Sequence, residues 1–237
     1  YVHHSITWQL RLGVRFVDMI ITAAHESFRL QTQKPVLVFG HGIDTELFAP
    51  AGPEEMRSEE SQLRHLRLLT VGRISRSKRL ELTLSISLEL QARGVAHSLT
   101  VAGTPVTADD LRYEKELRGI VTRDALPVAF LGAVSHSALP TLYREADIFV
   151  NQANSGGMNK VVLEAMATNL YVLTANEAYK DLLPAAQIVS ANSTSFADAI
   201  EEHLRASIPV NTRPLIEREH SLPRLIQKII EAFRGKN

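Results

Sequence analysis

The chain of 237 residues contains no cysteine. That excludes disulfides, zinc–thiolate centres and thiol nucleophiles, although it does not fix a compartment. It has no net charge either, with 26 Lys+Arg against 26 Asp+Glu. No general affinity for nucleic acid or for an anionic membrane surface follows from such a balance. No apolar run approaches the ~20 residues that a bilayer-spanning helix needs; the segment at 17–24 is short and carries Asp18. A signal-peptide pattern, internal repeats and low-complexity tracts are missing. So is any set of His and carboxylates at metal-ligand spacing, so no protein-bound metal is expected. What the chain does have is a hydrophobic fraction of 45%, enough for a normal core in one large or two small domains.

Strand and helix signals alternate along the sequence. Short β-branched runs at 19–22, 36–39, 67–71, 98–102, 128–131, 148–151, 171–174 and 187–190 predict strands, several of them without polar alternation, as for strands buried on both faces. Helical patterns fall at 5–15, 26–31, 78–93, 109–121, 139–145, 157–168, 195–206 and 222–233. Alternating β and α elements imply an α/β fold with a Rossmann-like, doubly wound parallel sheet and right-handed crossovers. Ligands of such sheets sit beyond the carboxyl ends of the strands.

The stretch 50–65 reads as a linker, with Pro50, Gly52 and Pro53 followed by Glu54, Glu55, Glu59 and Glu60. The elements before it are too few for a domain, and the chain opens on Tyr1 in a helix-like pattern. Residues 1–49 are therefore expected to be the remnant of an amino-terminal domain with its connection. Residues 66–237 are expected to form a complete domain.

The most telling segment is Asn154-Ser-Gly-Gly-Met-Asn-Lys-Val-Val-Leu-Glu164-Ala-Met-Ala167. A turn of small residues leaves a strand and enters a helix there. Free N–H groups and the positive end of the helix dipole then face whatever binds. Glu164 lies among Val161, Val162, Leu163, Ala165 and Met166, so its carboxylate is expected to be buried and to need a partner or a ligand. A carboxylate suits a ribose because it accepts from two vicinal hydroxyls. The bland alternative is a surface pair with Lys160, one turn earlier. Gly72 lets the chain turn at the end of strand 67–71, which brings Arg73 and Lys78 to the same sheet edge as the Ser155–Gly157 turn. A planar guanidinium fork and a point charge together suit a diphosphate; a solvated basic loop is the alternative.

Gly103 and Gly132 end the next two strands. For Gly103, turn chemistry and close approach to a nucleobase are equally good readings. The backbone after Phe130, at Leu131, could read a base. His41 lies between Gly40 and Gly42, and a lone His of this kind is more often structural than catalytic. Asp44 reads as a turn or helix cap. His136, between Ser135 and Ser137, reads as capping context at a helix start.

Taken together, Val71-Gly72-Arg73…Lys78, Phe130-Leu-Gly132, Leu142-Tyr143…Ala146-Asp147-Ile-Phe-Val and Val162-Leu-Glu164-Ala-Met-Ala167 followed by Val172-Leu-Thr resemble the carboxyl-terminal domain of the family 4 retaining glycosyltransferases. Gly42-Ile-Asp44…Phe48…Pro50 is similar to the interdomain connection of that family, and Ser221-Leu222 with the following helix to its closing helices. The resemblance implies the carboxyl-terminal half of a GT-B fold, transfer of a sugar with retention, and a UDP-, GDP- or ADP-sugar donor. It implies no covalently bound cofactor and no required metal. Arg73 and Lys78 would be the catalytic pair that holds the leaving diphosphate. The donor site would comprise Gly72, Arg73, Lys78, Gly103, Leu131, Gly156, Gly157, Met158, Asn159, Lys160, Val161 and Glu164.

The partners implied are the nucleotide sugar, a glycan, lipid or small-molecule acceptor, and the missing amino-terminal domain; nucleic acid is not among them. The resemblance suits a cytoplasmic enzyme, or one peripheral at the membrane in its full-length form. One position departs from the pattern. The family often has a Glu eight residues before the second Glu, and Gly156 stands there. Asn159 and Lys160 are the candidate substitutes. Gly156 also supports an alternative, a non-catalytic nucleotide-binding or interaction module that kept the GT-B fold.

Overall fold

The computed structural model describes residues 6–24, 28–52, 65–153, 157–206 and 210–235. The first helix, α1 (Trp8–Gly13), is capped by Thr7, whose hydroxyl accepts from the Leu10 N–H at 3.2 Å. It runs into a 3₁₀ turn, Val14–Phe16. Strands β1 (Ile20–Thr22) and β2 (Val36–Val38) then pair in parallel as a small sheet of their own. Residues 28–31 are not helical, against the pattern at 26–31, whose first two residues lie outside the described ones.

The main sheet has five strands: β3 (Leu66–Val71), β4 (His97–Ala102), β5 (Val128–Gly132), β6 (Ile148–Asn151) and β7 (Tyr171–Thr174). Their order is β5-β4-β3-β6-β7, and every pairing is parallel. Helices α2 (Leu80–Ala92), α3 (Ala108–Arg123), α4 (Leu139–Glu145), α5 (Lys160–Ala167), α6 (Ser193–Ala206), α7 (Arg213–Glu219) and α8 (Leu222–Arg234) complete the chain. The fold is α/β and Rossmann-like, as the alternation of elements predicts.

Strand periodicity divides the apolar side chains between two faces. Leu66 and Leu68, Ile148 and Val150, Tyr171 and Leu173 join one buried cluster with Leu84, Tyr113, Leu117, Phe196 and Ile200 of α2, α3 and α6. Leu69, Phe149 and Val172 point the other way, into a cluster with Tyr143, Val162, Met166 and Ile216 of α4, α5 and α7. Both faces are covered, which is why these strands lack polar alternation. Ile43 and Phe48 belong to the second cluster, so the segment before the linker is seated in the core.

Arg213 fixes that segment. Its guanidinium donates to the carbonyls of Thr45 (2.8 Å), Phe48 (2.9 Å) and Ala167 (3.0 Å). Ile43 also exchanges backbone hydrogen bonds with His220 and Leu222 at 2.7 and 2.8 Å. Of the linker, residues 53–64 lie outside the described ones.

The strand expected at 187–190 does not form. Pro184 leads into a 3₁₀ turn, Ala185–Gln187, and the chain meets β7 only at its last residue, through a single Thr174–Ile188 bridge. There is no length left for a ladder. Helix α7 has no counterpart among the predicted helices, although Pro214 in its first turn is a start signal.

Candidate functional site

The strand order reverses between β3 and β6, and their carboxyl ends open a crevice at this switch point. Gly72, with φ +146°, leaves β3 there, and its N–H donates to the Ala102 carbonyl at 2.9 Å. Gly103 follows β4 with φ +145°, and a Cβ on it would lie 1.9 Å from the Gly72 carbonyl oxygen. Close packing of two backbone turns therefore accounts for Gly103, and this favours turn chemistry over approach to a nucleobase. Gly103 in turn donates to the Gly132 carbonyl at 2.9 Å. Leu131 flanks this glycine row on the exposed side, at 47% exposure.

Beyond Gly72 the chain makes a 3₁₀ turn, Arg76–Lys78. The Lys78 ammonium reaches across the crevice and donates to Asn159 Oδ1 at 2.9 Å. Asn159 is the N-cap residue of α5, and its side chain makes no capping bond to the helix. Lys78 and the N-cap residue of α5 are thus in direct contact, while residues 155 and 156 of the turn expected beside Arg73 and Lys78 lie outside the described ones. Lys78 and Arg73 line one small cavity together with Thr70, Gly72, Asn151 and Gln152. No carboxylate is among the residues lining it. Burial, and then the positive charge of Arg73, hold the Lys78 ammonium below its ordinary pKa. Both effects oppose the charge on Lys78, and the attraction of an anion placed between the two cations would offset them.

The lead-in to α5 is held from three directions. Asn176 Nδ2 donates to the Gly157 carbonyl at 3.0 Å, and His41 Nε2 donates to the Met158 carbonyl at 3.0 Å. The Tyr179 hydroxyl donates to the Asn159 carbonyl at 3.0 Å and accepts from the Asn159 N–H. These bonds hold residues 157–159 out of the helix, which begins at Lys160 rather than at Gly157. His41 thus holds the backbone ahead of α5 through the Met158 carbonyl. Burial, its largest influence, lowers its pKa, with Lys160 acting the same way and Met158 and Glu164 opposing. Gly156 and Ser155 lie outside the described residues. Gly157 and Met158 also wall a cleft of about 870 Å³ that runs past Asn176 and Lys180 to Ala24 and Val38.

Glu164 is buried, as its apolar neighbours predict. Its Oε2 accepts from the Tyr143 hydroxyl at 3.2 Å. Its Oε1 lies 3.5 Å from His136 Nε2 and 3.7 Å from Lys160 Nζ. The pairing with Lys160 exists, but at a length beyond a hydrogen bond and from a buried carboxylate. Burial and the Glu164 charge raise the Tyr143 pKa well above the usual phenol value, so Tyr143 stays a neutral donor. His136 is not capping context. Helix α4 has Ala138 as its N-cap residue and no side-chain cap, and His136 stands edge-on to Phe48, ring centroids 5.2 Å apart, with Nε2 towards Glu164. Asp44 does cap a turn, Oδ1 accepting from the N–H groups of Glu46 and Leu47 at 3.2 and 3.0 Å.

Sequence reasoning missed Gln152, Tyr143, Tyr179 and Asn176. For Gln152 there was a signal: a polar pair, Asn151-Gln152, at the end of the apolar run Ile148-Phe-Val150. Among the described residues no cluster of three or more His, Asp or Glu could hold a metal, and no helix is long and apolar enough to cross a membrane.

Residues 65–206, more than half of the chain, match the model of the family described as glycosyl transferases group 1. The chain belongs to that family. Among curated glycosyltransferases it is similar to a sulfoquinovosyl transferase of Arabidopsis thaliana, 28% identical over 155 residues that make up 62% of this chain and 27% of that protein. It is 27% identical over 168 residues, 70% of this chain and 47% of the other, to a lipopolysaccharide core biosynthesis mannosyltransferase of Rhizobium meliloti. The chain thus spans less than half the length of either relative. Among solved structures, HepE of Anabaena in complex with UDP and glucose superposes with a TM-score of 0.77 at 18% identity, covering 98% of this chain and 70% of that one. The group 1 fold, half of a GT-B architecture, is thereby shown, and the crevice lies at its switch point between β3 and β6.

Proposed function

We propose that this chain is the donor-binding half of a retaining, family 4 type glycosyltransferase that uses a nucleotide sugar. The observation that carries the reading is the contact between Lys78 and the α5 mouth, next to a small cavity lined by Arg73 and Lys78 and by no carboxylate. In this reading Arg73, Lys78 and the N–H groups at Lys160 and Val161 take the diphosphate. Glu164 takes the ribose hydroxyls. Gly157, Met158 and Asn159 face the second phosphate and the sugar, and Leu131 lies on the base side.

As the glycosidic bond breaks, negative charge grows on the departing diphosphate. Fixed cations and amide dipoles meet that charge without reorganising, which lowers the barrier. The relatives are named for sulfoquinovosyl and mannosyl transfer, and the HepE structure holds UDP; these names support a sugar–diphosphate donor of this class.

Residues 1–49 are read as the end of an acceptor-binding domain and its connection, and 66–237 as the donor domain. Trp8 and Phe16 and the row Leu222, Ile226, Ile230 and Phe233 are exposed apolar side chains, the kind of surface a facing domain covers. The acceptor, whether glycan, lipid or small molecule, would be held largely by that facing domain. A second reading, a nucleotide-binding module without turnover, draws on Gly156 in the place of a family Glu.

Calorimetric titration of this chain with UDP, GDP and ADP tests the donor reading. At least one diphosphate is expected to bind ten or more times tighter than its nucleoside. No binding by any of the three would contradict it.

A further inference from the structure

Gln152 follows β6, is 2% exposed, and lines the same cavity as Gly72, Arg73 and Lys78. Neither of its carboxamide atoms, Oε1 or Nε2, has a hydrogen-bond partner. Its neighbour Asn151 is not in this state, since Asn151 Oδ1 accepts from Thr174 Oγ1 at 3.3 Å. A second stranded donor lies next to Lys78. Asn159 Oδ1 is taken by the Lys78 ammonium, and Asn159 Nδ2 is buried without a partner. Buried amides are rarely left unpaired, because the desolvation they suffer is then uncompensated. The free space in the cavity is about 10 Å³, which admits one oxygen-sized group. Beside two cations and two unpaired amides, an anionic oxygen fits that space.

We propose that Gln152 is a further specificity-determining residue of the donor site, its carboxamide N–H donating to an oxygen of the phosphate held between Arg73 and Lys78. This inference rests on the donor reading above and adds to it a neutral reader of the diphosphate. Neutrality matters there: an amide donates to the anion without cancelling the field of the two cations, as a carboxylate would. The side chain is already buried and confined, so little conformational entropy is lost when the phosphate arrives. The unpaired amide disfavours the empty site and thereby favours the filled one.

The test compares wild-type chain, Gln152→Leu and Gln152→Glu with whichever of UDP, GDP and ADP binds wild type most tightly, and with the matching nucleoside. Gln152→Leu removes an unpaired polar group from the unliganded protein, so its melting temperature is expected to hold or rise. Its diphosphate affinity is expected to fall about tenfold, the scale of one hydrogen bond to a charged acceptor, with nucleoside affinity unchanged. Gln152→Glu is expected to lose more diphosphate affinity, by repulsion.

Wild-type affinity for the diphosphate in both variants would overturn the proposal and leave Gln152 holding an ordered water only. A reading that needs no substitution is the side-chain amide resonance of Gln152 in the wild-type chain. It is expected to shift on addition of the diphosphate and not of the nucleoside, and an unmoved resonance overturns the proposal even if both variants misfold. If wild type binds none of the three diphosphates, the donor reading fails and this inference with it. If wild type binds and the variants match it, this inference alone fails.

Discussion

At the scale of single residues, the site is built from side chains that are costly to bury. The Glu164 carboxylate sits among aliphatic neighbours with one hydrogen bond, from Tyr143, and with His136 and Lys160 at 3.5 and 3.7 Å from its other oxygen. One oxygen is therefore satisfied, and the other is attended by two groups that stop short of a firm bond. Such a carboxylate can accept from hydroxyls without first breaking a strong ion pair. Glu164→Gln keeps the shape and removes the charge. It is expected to weaken a ribonucleoside diphosphate by five- to tenfold and its 2′,3′-dideoxy analogue far less, measured by titration. Equal losses for the two ligands would mean that the carboxylate serves packing alone.

At the scale of elements, the carboxyl edge of the sheet depends on two backbone turns stacked without side chains between them. A methyl group on Gly103 would lie 1.9 Å from the Gly72 carbonyl, and its φ of +145° strains any other residue. Gly132 has φ +72° but nothing within 4 Å of its Cβ position. Gly103→Ala is accordingly expected to cost more than about 3 kcal/mol of stability, and Gly132→Ala about 1 kcal/mol, the left-handed backbone cost alone. Urea denaturation of the two variants measures this directly. Equal midpoints would show that the Gly72–Gly103 contact is not tight.

Strands β3 to β7 were legible in the sequence to within a residue at each end, because short apolar runs between turn residues leave few other assignments. The switch-point crevice and the pairing of Lys78 with the α5 mouth follow from that sheet. What local pattern could not show was anything set by distant partners. Helix α5 starts three residues later than its pattern because Asn176, His41 and Tyr179 hold residues 157–159 outside it. His136 reads as a cap between two serines, and it packs on Phe48 only because Arg213 and the Ile43 bridge seat that segment in the core.

At the scale of the whole molecule, four histidines share one property. Burial, the largest influence on each, holds His41, His97, His203 and His220 below the ordinary imidazole value, and His203 is pushed down to about 4. Below the unfolded value of 6.5, the unfolded chain binds protons that the folded one does not. Stability is therefore present above 6.5 and is lost as pH falls towards the folded values. Urea midpoints are expected to decline steadily between pH 6.5 and pH 4.5, and His203→Gln, which removes the widest window, should flatten the decline. A midpoint constant over that range would contradict the assignment.

One crevice is proposed to grip a diphosphate through Arg73, Lys78 and the mouth of α5. The most direct measurement is a titration of Arg73→Ala/Lys78→Ala beside wild type, with a nucleoside diphosphate and with the same nucleoside. The account predicts a loss of about a hundredfold or more for the diphosphate and little change for the nucleoside. Equal losses for both ligands, or none for the diphosphate, would contradict it.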